Sequence, residues 1–178
     1  MADVRIVRAA PEAVSGLARL LVATVSGGAS LGFIEPFDEP TASAFWTGWL
    51  ADSANIVLAA HRGEDLVGTV SVSLAQPANA AHRAEIRKLM VDPGARQRGV
   101  GAALMAAAEA EALARGRWLL VLDTVQGSAA EPFYRGLGYV TAGVIPEFAR
   151  APREDRLEPT VVFYKLLEPR TQPDSRRR

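Results

Sequence analysis

The chain contains no cysteine, which excludes a disulfide scaffold, a sulfur nucleophile and thiolate metal ligation. Histidine is nearly missing too: His61 and His82 are too few to build an imidazole zinc site. Lysine is scarce, with Lys88 and Lys165 standing beside 18 arginines, while alanine is inflated to 32 residues. That pairing reads as G+C-rich coding before it reads as function. No long apolar run is present. The longest unbroken stretch of apolar residues and glycine is Gly99 to Ala108, far short of the ~20 residues of a membrane helix. Met1 to Arg19 carries Asp3, Glu12 and three arginines without a signal-peptide apolar core, so a cytoplasmic protein without a membrane or metal partner is expected. Neither sign of charge prevails, with 20 basic against 20 acidic residues, and no basic patch interleaved with aromatics points to nucleic acid. The last ten residues, Pro169 to Arg178, hold a net +3 and read as a solvated tail.

What is present fits one ordinary globular domain: 178 residues, 49% hydrophobic and 22% charged. We assign residues 1–168 to that domain and 169–178 to the basic tail. Val4 to Val7 reads as an opening strand, with Pro11 placed for a helix start. Leu17, Leu20, Leu21, Thr24 and Val25 recur at helical spacing until Gly27-Gly28. Phe45, Trp46, Trp49 and Leu50 give a second amphipathic helix. Ile56 to Ala60 and Leu66 to Leu74 are strands joined by Arg62-Gly63-Glu64-Asp65, a hairpin loop. Ala84 to Val91 is a further strand and Gly101 to Arg115 an alanine-rich helix. Trp118 to Leu122 reads as a strand buried on both faces. Ala129 to Leu137 is a short helix and Thr160 to Leu167 a last strand. The fold class is α/β on one mixed sheet.

The segment Asp92-Pro93-Gly94-Ala95-Arg96-Gln97-Arg98-Gly99-Val100-Gly101 leads from a strand through a turn into a helix. Glycines allow backbone N–H groups to approach an anion closely, and a helix N-terminus adds partial positive charge. Arg96 and Arg98 offer charge-assisted hydrogen bonds. Together these parts suit a pyrophosphate. A Walker A loop is excluded, because no Lys-Ser/Thr follows the glycines. A dinucleotide fingerprint fits poorly: Leu104 stands at its third glycine, and Asp92 to Arg98 separate the strand from Gly99, where a Rossmann turn is tight.

The Arg-x-x-Gly-x-Gly element at Arg96, Gly99 and Gly101 resembles the acyl-CoA motif of the GNAT superfamily of N-acetyltransferases. The order of elements agrees along almost the whole chain. Phe133-Tyr134-Arg135-Gly136-Leu137-Gly138-Tyr139 is similar to that family's later motif. Gly27 to Phe33, Arg83-Ala84-Glu85, Lys88 to Val91, Leu122-Asp123-Thr124, Gly127-Ser128 and Arg156 to Lys165 further resemble the tabtoxin-resistance acetyltransferases. The resemblance implies an acyl-CoA N-acyltransferase fold of about seven strands and four helices, with Ala84–Val91 and Trp118–Asp123 splayed around acetyl-CoA. It implies that Leu89 and Val91 pair with the pantetheine arm, that the Leu89 N–H polarises the thioester carbonyl, and that Gln97, Arg98, Gly99, Val100, Gly101 and Ala102 supply amides to pyrophosphate. Met90, Ser128 and Phe133 complete the cofactor-binding set. It also implies that Tyr134 donates to the departing sulfur and that Glu85 and Asp123 are bases.

The residues themselves leave alternatives open. A carboxylate near ~4 is a poor base for an ammonium near ~10 unless burial raises it. Glu85 lies four residues before Leu89, about 13 Å along an extended strand, and an ion pair with Arg87 is its other reading. A cap or turn role is the alternative for Asp123 and a core aromatic the alternative for Tyr134. Phe33, Trp46 and Ile145 to Glu158 could wall the acceptor, with core packing as the alternative for Trp46. The expected activity is acetyl transfer from acetyl-CoA to the primary amine of a small amino-acid-like or antibiotic-like molecule. A non-catalytic acyl-CoA sensor is the alternative. Many family members form dimers, so a homodimer is compatible with the resemblance.

Overall fold

The computed structural model describes residues 4–167; the tail assigned to 169–178 lies outside them. Strand β1 (Arg5–Arg8) leads through a 3-10 turn at Pro11 to helix α1 (Val14–Ser26). Helix α2 (Glu39–Ala51) follows a glycine-rich loop; Asp38 caps it by accepting from the Thr41 N–H at 3.0 Å, with Pro40 in the first turn. The hairpin β2 (Asn55–Arg62) and β3 (Asp65–Leu74) precedes β4 (Arg83–Val91), α3 (Val100–Ala114), β5 (Leu119–Val125), α4 (Ala130–Gly136), β6 (Val140–Arg150) and β7 (Leu157–Leu166). The strands form one sheet in the order β1-β2-β3-β4-β5-β7-β6. Every neighbouring pair is antiparallel except β4 and β5.

The sheet carries a core on each face. Ile56, Leu58, Val70, Val72, Ala84, Ile86, Leu120, Leu122 and Phe163 point one way, against Leu104, Met105 and Ala108 of α3. Val57 and Met90 point the other way, against Leu17, Leu21, Ala42 and Trp46 of α1 and α2. The alanines of α3 let its axis lie close to the sheet. Gly68 marks the tightest approach: a Cβ there would lie 3.0 Å from both the Met90 carbonyl oxygen and Leu104 Cδ1. A backbone oxygen cannot swing aside as a side-chain end can. Gly68→Ala should therefore destabilise the fold by about 1–3 kcal/mol, measured by urea unfolding; an unchanged midpoint would contradict this packing.

Two irregularities prepare the site. Thr69 pairs with Met90 and Ser71 with Arg87, so two steps on β3 answer three on β4. This bulge is centred on Lys88, whose φ is +54°. The second is the parting of β4 from β5, which pair only at Arg83/Leu119, Ala84/Leu120 and Glu85/Val121. Beyond Glu85 the two strands diverge.

The sequence reading needs correction at two strands. Trp118 precedes β5, and of the expected apolar run only Leu120 and Leu122 are buried. Residues 140–150 form β6, which no residue pattern announced. Pro146 sits in that strand where the β6–β7 register breaks, between Ile145 and Ala149, and proline is tolerated only on an edge or at a bulge. Among the described residues, no helix is long and apolar enough to cross a membrane.

Candidate active site

The gap between β4 and β5 is edged by the β4 backbone beyond Glu85. Asp92 donates its N–H to the Val67 carbonyl on the β3 side, at 2.9 Å. Strand alternation therefore turns the backbone groups of Val91 and Leu89 toward β5, past the last β4–β5 pair. Arg96 Nε donates to the Val91 carbonyl at 3.1 Å. Arg96 thus braces the loop, and the Val91 carbonyl expected to meet the pantetheine arm is already engaged. Met90 and Val100 are buried, so either can offer only its backbone.

Below the gap the chain turns at Asp92, whose carboxylate accepts from the Gly94 N–H at 2.8 Å. Gln97 (φ +57°) and Gly99 (φ +80°) then reverse it into α3. Gly99 occupies the N-cap and supplies no side-chain acceptor, so the first amides of α3 keep their donors for an anion. Arg98 is exposed beside them. Gly101 brings Phe133 against the first turn: a Cβ there would lie 3.3 Å from the Phe133 ring and 3.7 Å from Val91 Cγ2. Ala102 is half-buried in the same turn. Ser128 lies within 3.2 Å of Thr124 Oγ1. The next turn is fixed by Glu131, which accepts from the Gly127 N–H and from Arg135.

Tyr134 is buried on this face, its ring 5.3 Å from Phe133, 5.9 Å from Tyr139 and 6.0 Å from Phe163. Burial, with Asp123 adding to it, pushes its phenol up to about 12. It holds its proton throughout the physiological range.

The other face carries the charges. Glu85 sits at the vertex of the gap and pairs with Arg87 at 3.6 Å, while the Arg87 guanidinium lies 5.0 Å from the Trp49 ring centroid. Asp123 is exposed and lies inside β5 rather than at its end. Its carboxylate accepts from Thr160, whose single proton is shared between Asp123 Oδ2 at 2.8 Å and Thr124 O at 2.9 Å. Water reaches Asp123, so its charge carries no burial penalty. Lys88 is turned by the bulge onto this same face. Its Nζ donates to the Leu31 carbonyl and lies 4.9, 5.4 and 5.9 Å from the rings of Phe33, Phe45 and Trp49.

Phe33 is half-buried and packs on Phe37 and Phe45 at 4.4 and 5.0 Å. Trp46 is wholly buried in the core between α1, α2 and the sheet. It has no surface to offer, and the helix presents Phe45 and Trp49 instead. The β6–β7 turn closes over the α1–α2 loop: Glu35 N–H donates to the Pro152 carbonyl at 3.0 Å, and Arg153 reaches Ser26 O and Glu35. A cavity of about 310 Å³ lies there, lined by Gly28, Arg153, Arg156 and Glu158 among others. Among the described residues, no cluster of three or more histidines or carboxylates is disposed to hold a metal.

The structure thus brings Leu89, Gly99, Gly101, Phe133 and Tyr134 to one face and Glu85, Asp123 and Phe33 to the other. Lys88 and Thr160 were missed as site residues. Lys88 sits in a strand whose alternation would have sent it to the α3 face, and its rarity, as one of two lysines beside 18 arginines, and its place in a segment of the resemblance were the available marks.

Solved structures share the fold. A structure of yncA from Salmonella typhimurium with acetyl-CoA matches with a TM-score of 0.78 at 17% identity, covering 97% of this chain and 98% of that one. Ribosomal-protein-alanine N-acetyltransferase from Brucella melitensis matches with a TM-score of 0.76 at 22% identity, over 92% and 99%. A provisional phosphinothricin N-acetyltransferase matches with a TM-score of 0.79 at 15% identity, over 94% and 100%. At these identities the likeness is one of fold. The model of the acetyltransferase (GNAT) family matches residues 16–139, and the chain belongs to that family.

Proposed function

We propose that the protein is an N-acetyltransferase that moves an acetyl group from acetyl-CoA to the primary amine of a small amino-acid-like or antibiotic-like molecule, by direct attack in a ternary complex. The observation that carries this reading is the parting of β4 from β5 after Glu85. It leaves an anion-ready helix end and a protonated phenol on one face and two carboxylates on the other. Acetyl-CoA supplies the activated thioester. The amides around Gly99, with Arg98, would hold its pyrophosphate, and the Leu89 N–H would face the thioester carbonyl. Asp123 and Glu85 would draw in the ammonium of the acceptor, and Tyr134 would hydrogen-bond the departing sulfur. Without cysteine no acyl-enzyme can form on sulfur, which favours direct attack. The segments resembling tabtoxin-resistance acetyltransferases support an antibiotic-like amine as acceptor.

Thermal unfolding with acetyl-CoA tests the cofactor assignment. At a hundredfold excess over Kd, binding should add roughly 2.7 kcal/mol, and Arg98→Ala should weaken affinity about tenfold, one charge-assisted hydrogen bond's worth. NADH should produce no shift. No shift at millimolar acetyl-CoA would end this reading. A shift without thiol release from any of a panel of amino acids and amino-acid analogues would favour the sensor.

A further inference from the structure

On the acceptor side, Asp123 is exposed, Glu85 pairs with Arg87, and Lys88 is the further titratable side chain that the bulge brings to the same face. We propose that Lys88 takes the proton from the incoming amine, an assignment that rests on the acetyl-transfer reading above. The β4 bulge carries its side chain onto the face that holds Glu85 and Asp123, one residue from Leu89. Three aromatic rings surround the Nζ, and among the described residues only the Leu31 carbonyl accepts from it. Gly32 lies alongside the amine: a Cβ built there would be 3.6 Å from the Nζ.

Charges face this amine from two strands. Arg87 and Glu85 come from β4 and Asp123 from β5, while Phe33, Phe45, Trp49 and Leu31 bring none. Burial first, and Arg87 second, pull the ammonium down to about 8, against the opposing pull of Glu85 and Asp123. A base near 8 lies about 2 units below an alkyl ammonium near ~10, whereas an ordinary carboxylate lies about 6 below.

The acceptor ammonium gives one proton to the neutral Lys88 amine. As its nitrogen bonds the acetyl carbon and the carbon–sulfur bond breaks, its second proton ends on the departing sulfur. Lys88 then returns its proton to solvent.

The chain has two lysines, so ¹³C-lysine labelling yields two Cε signals, assigned with Lys165→Arg. We expect the Lys88 signal to titrate near 8 in the native protein; a midpoint above about 10 would overturn the proposal whatever the variants do. Kinetically, kcat/KM for a turning-over amino acid should rise as pH passes upward through about 8. Lys88→Arg keeps a cation in the ring of aromatics but cannot lose its proton near neutrality. It should lower kcat/KM at least 100-fold at pH 7.5 and abolish that limb, with the acetyl-CoA thermal shift unchanged. For a dipeptide, whose α-amino group titrates near ~8, the loss should be much smaller. An active wild type with an unimpaired Lys88→Arg variant would overturn the role of Lys88 alone. Wild-type protein that releases no thiol would overturn the acetyl-transfer reading, and this one with it.

Discussion

Tyr134→Phe should lower kcat about 100-fold or more while leaving the acetyl-CoA thermal shift and the unfolding midpoint nearly unchanged. The substitution keeps the ring, and with it the contacts to Phe133, Tyr139 and Phe163, so packing survives. Only the hydroxyl is lost. Because burial and Asp123 push that phenol up to about 12, its proton is present at every working pH. The wild-type rate should show no alkaline limb from Tyr134 below about pH 11. The phenol is also too weak an acid to protonate a free thiolate near ~8.5 outright, so its contribution is a hydrogen bond that strengthens as charge gathers on sulfur. A variant within threefold of wild type would return Tyr134 to the role of a core aromatic.

The second large effect concerns stability. Trp46→Ala removes a fully buried side chain from the core between the sheet, α1 and α2, and should cost about 3–5 kcal/mol. For a chain of this size that lowers Tm by roughly 6–20 °C. Had Trp46 walled the acceptor, the same change would raise KM and leave Tm almost untouched. Calorimetry beside steady-state kinetics separates the two; a Tm within 2 °C of wild type would refute the core assignment.

The features legible in the sequence are those whose cause is local. Gly99 and Gly101 are legible as positions that need no side chain, and the structure gives Gly99 a left-handed step and sets Gly101 against the Phe133 ring. The helical spacing of Leu17, Leu20 and Leu21 gives the buried side of α1 directly. Lys88 could not be placed this way. Its direction depends on a mismatch in step count between β3 and β4, a relation between distant residues that neither strand contains alone. The residues of α2 failed more narrowly. Phe45, Trp46 and Trp49 share one stripe, and only the seat of the helix on the sheet decides that Trp46 goes under while its neighbours line the surface. Residues 140–150 hid their strand because Pro146 argues against a strand wherever the partner edge is unknown.

The sheet is a partition with one opening. On the proposed reading the cofactor would bind on the α3–α4 side and the acceptor on the α1–α2 side, meeting where β4 and β5 separate. Under the proposed reading the two affinities are separately heritable traits. Changes at Phe33, Trp49 or the β6–β7 turn can retune which amine is accepted, while the pyrophosphate grip around Gly99 is inherited intact. Such a layout lets descendants of one ancestral chain explore new acceptors without first losing the donor.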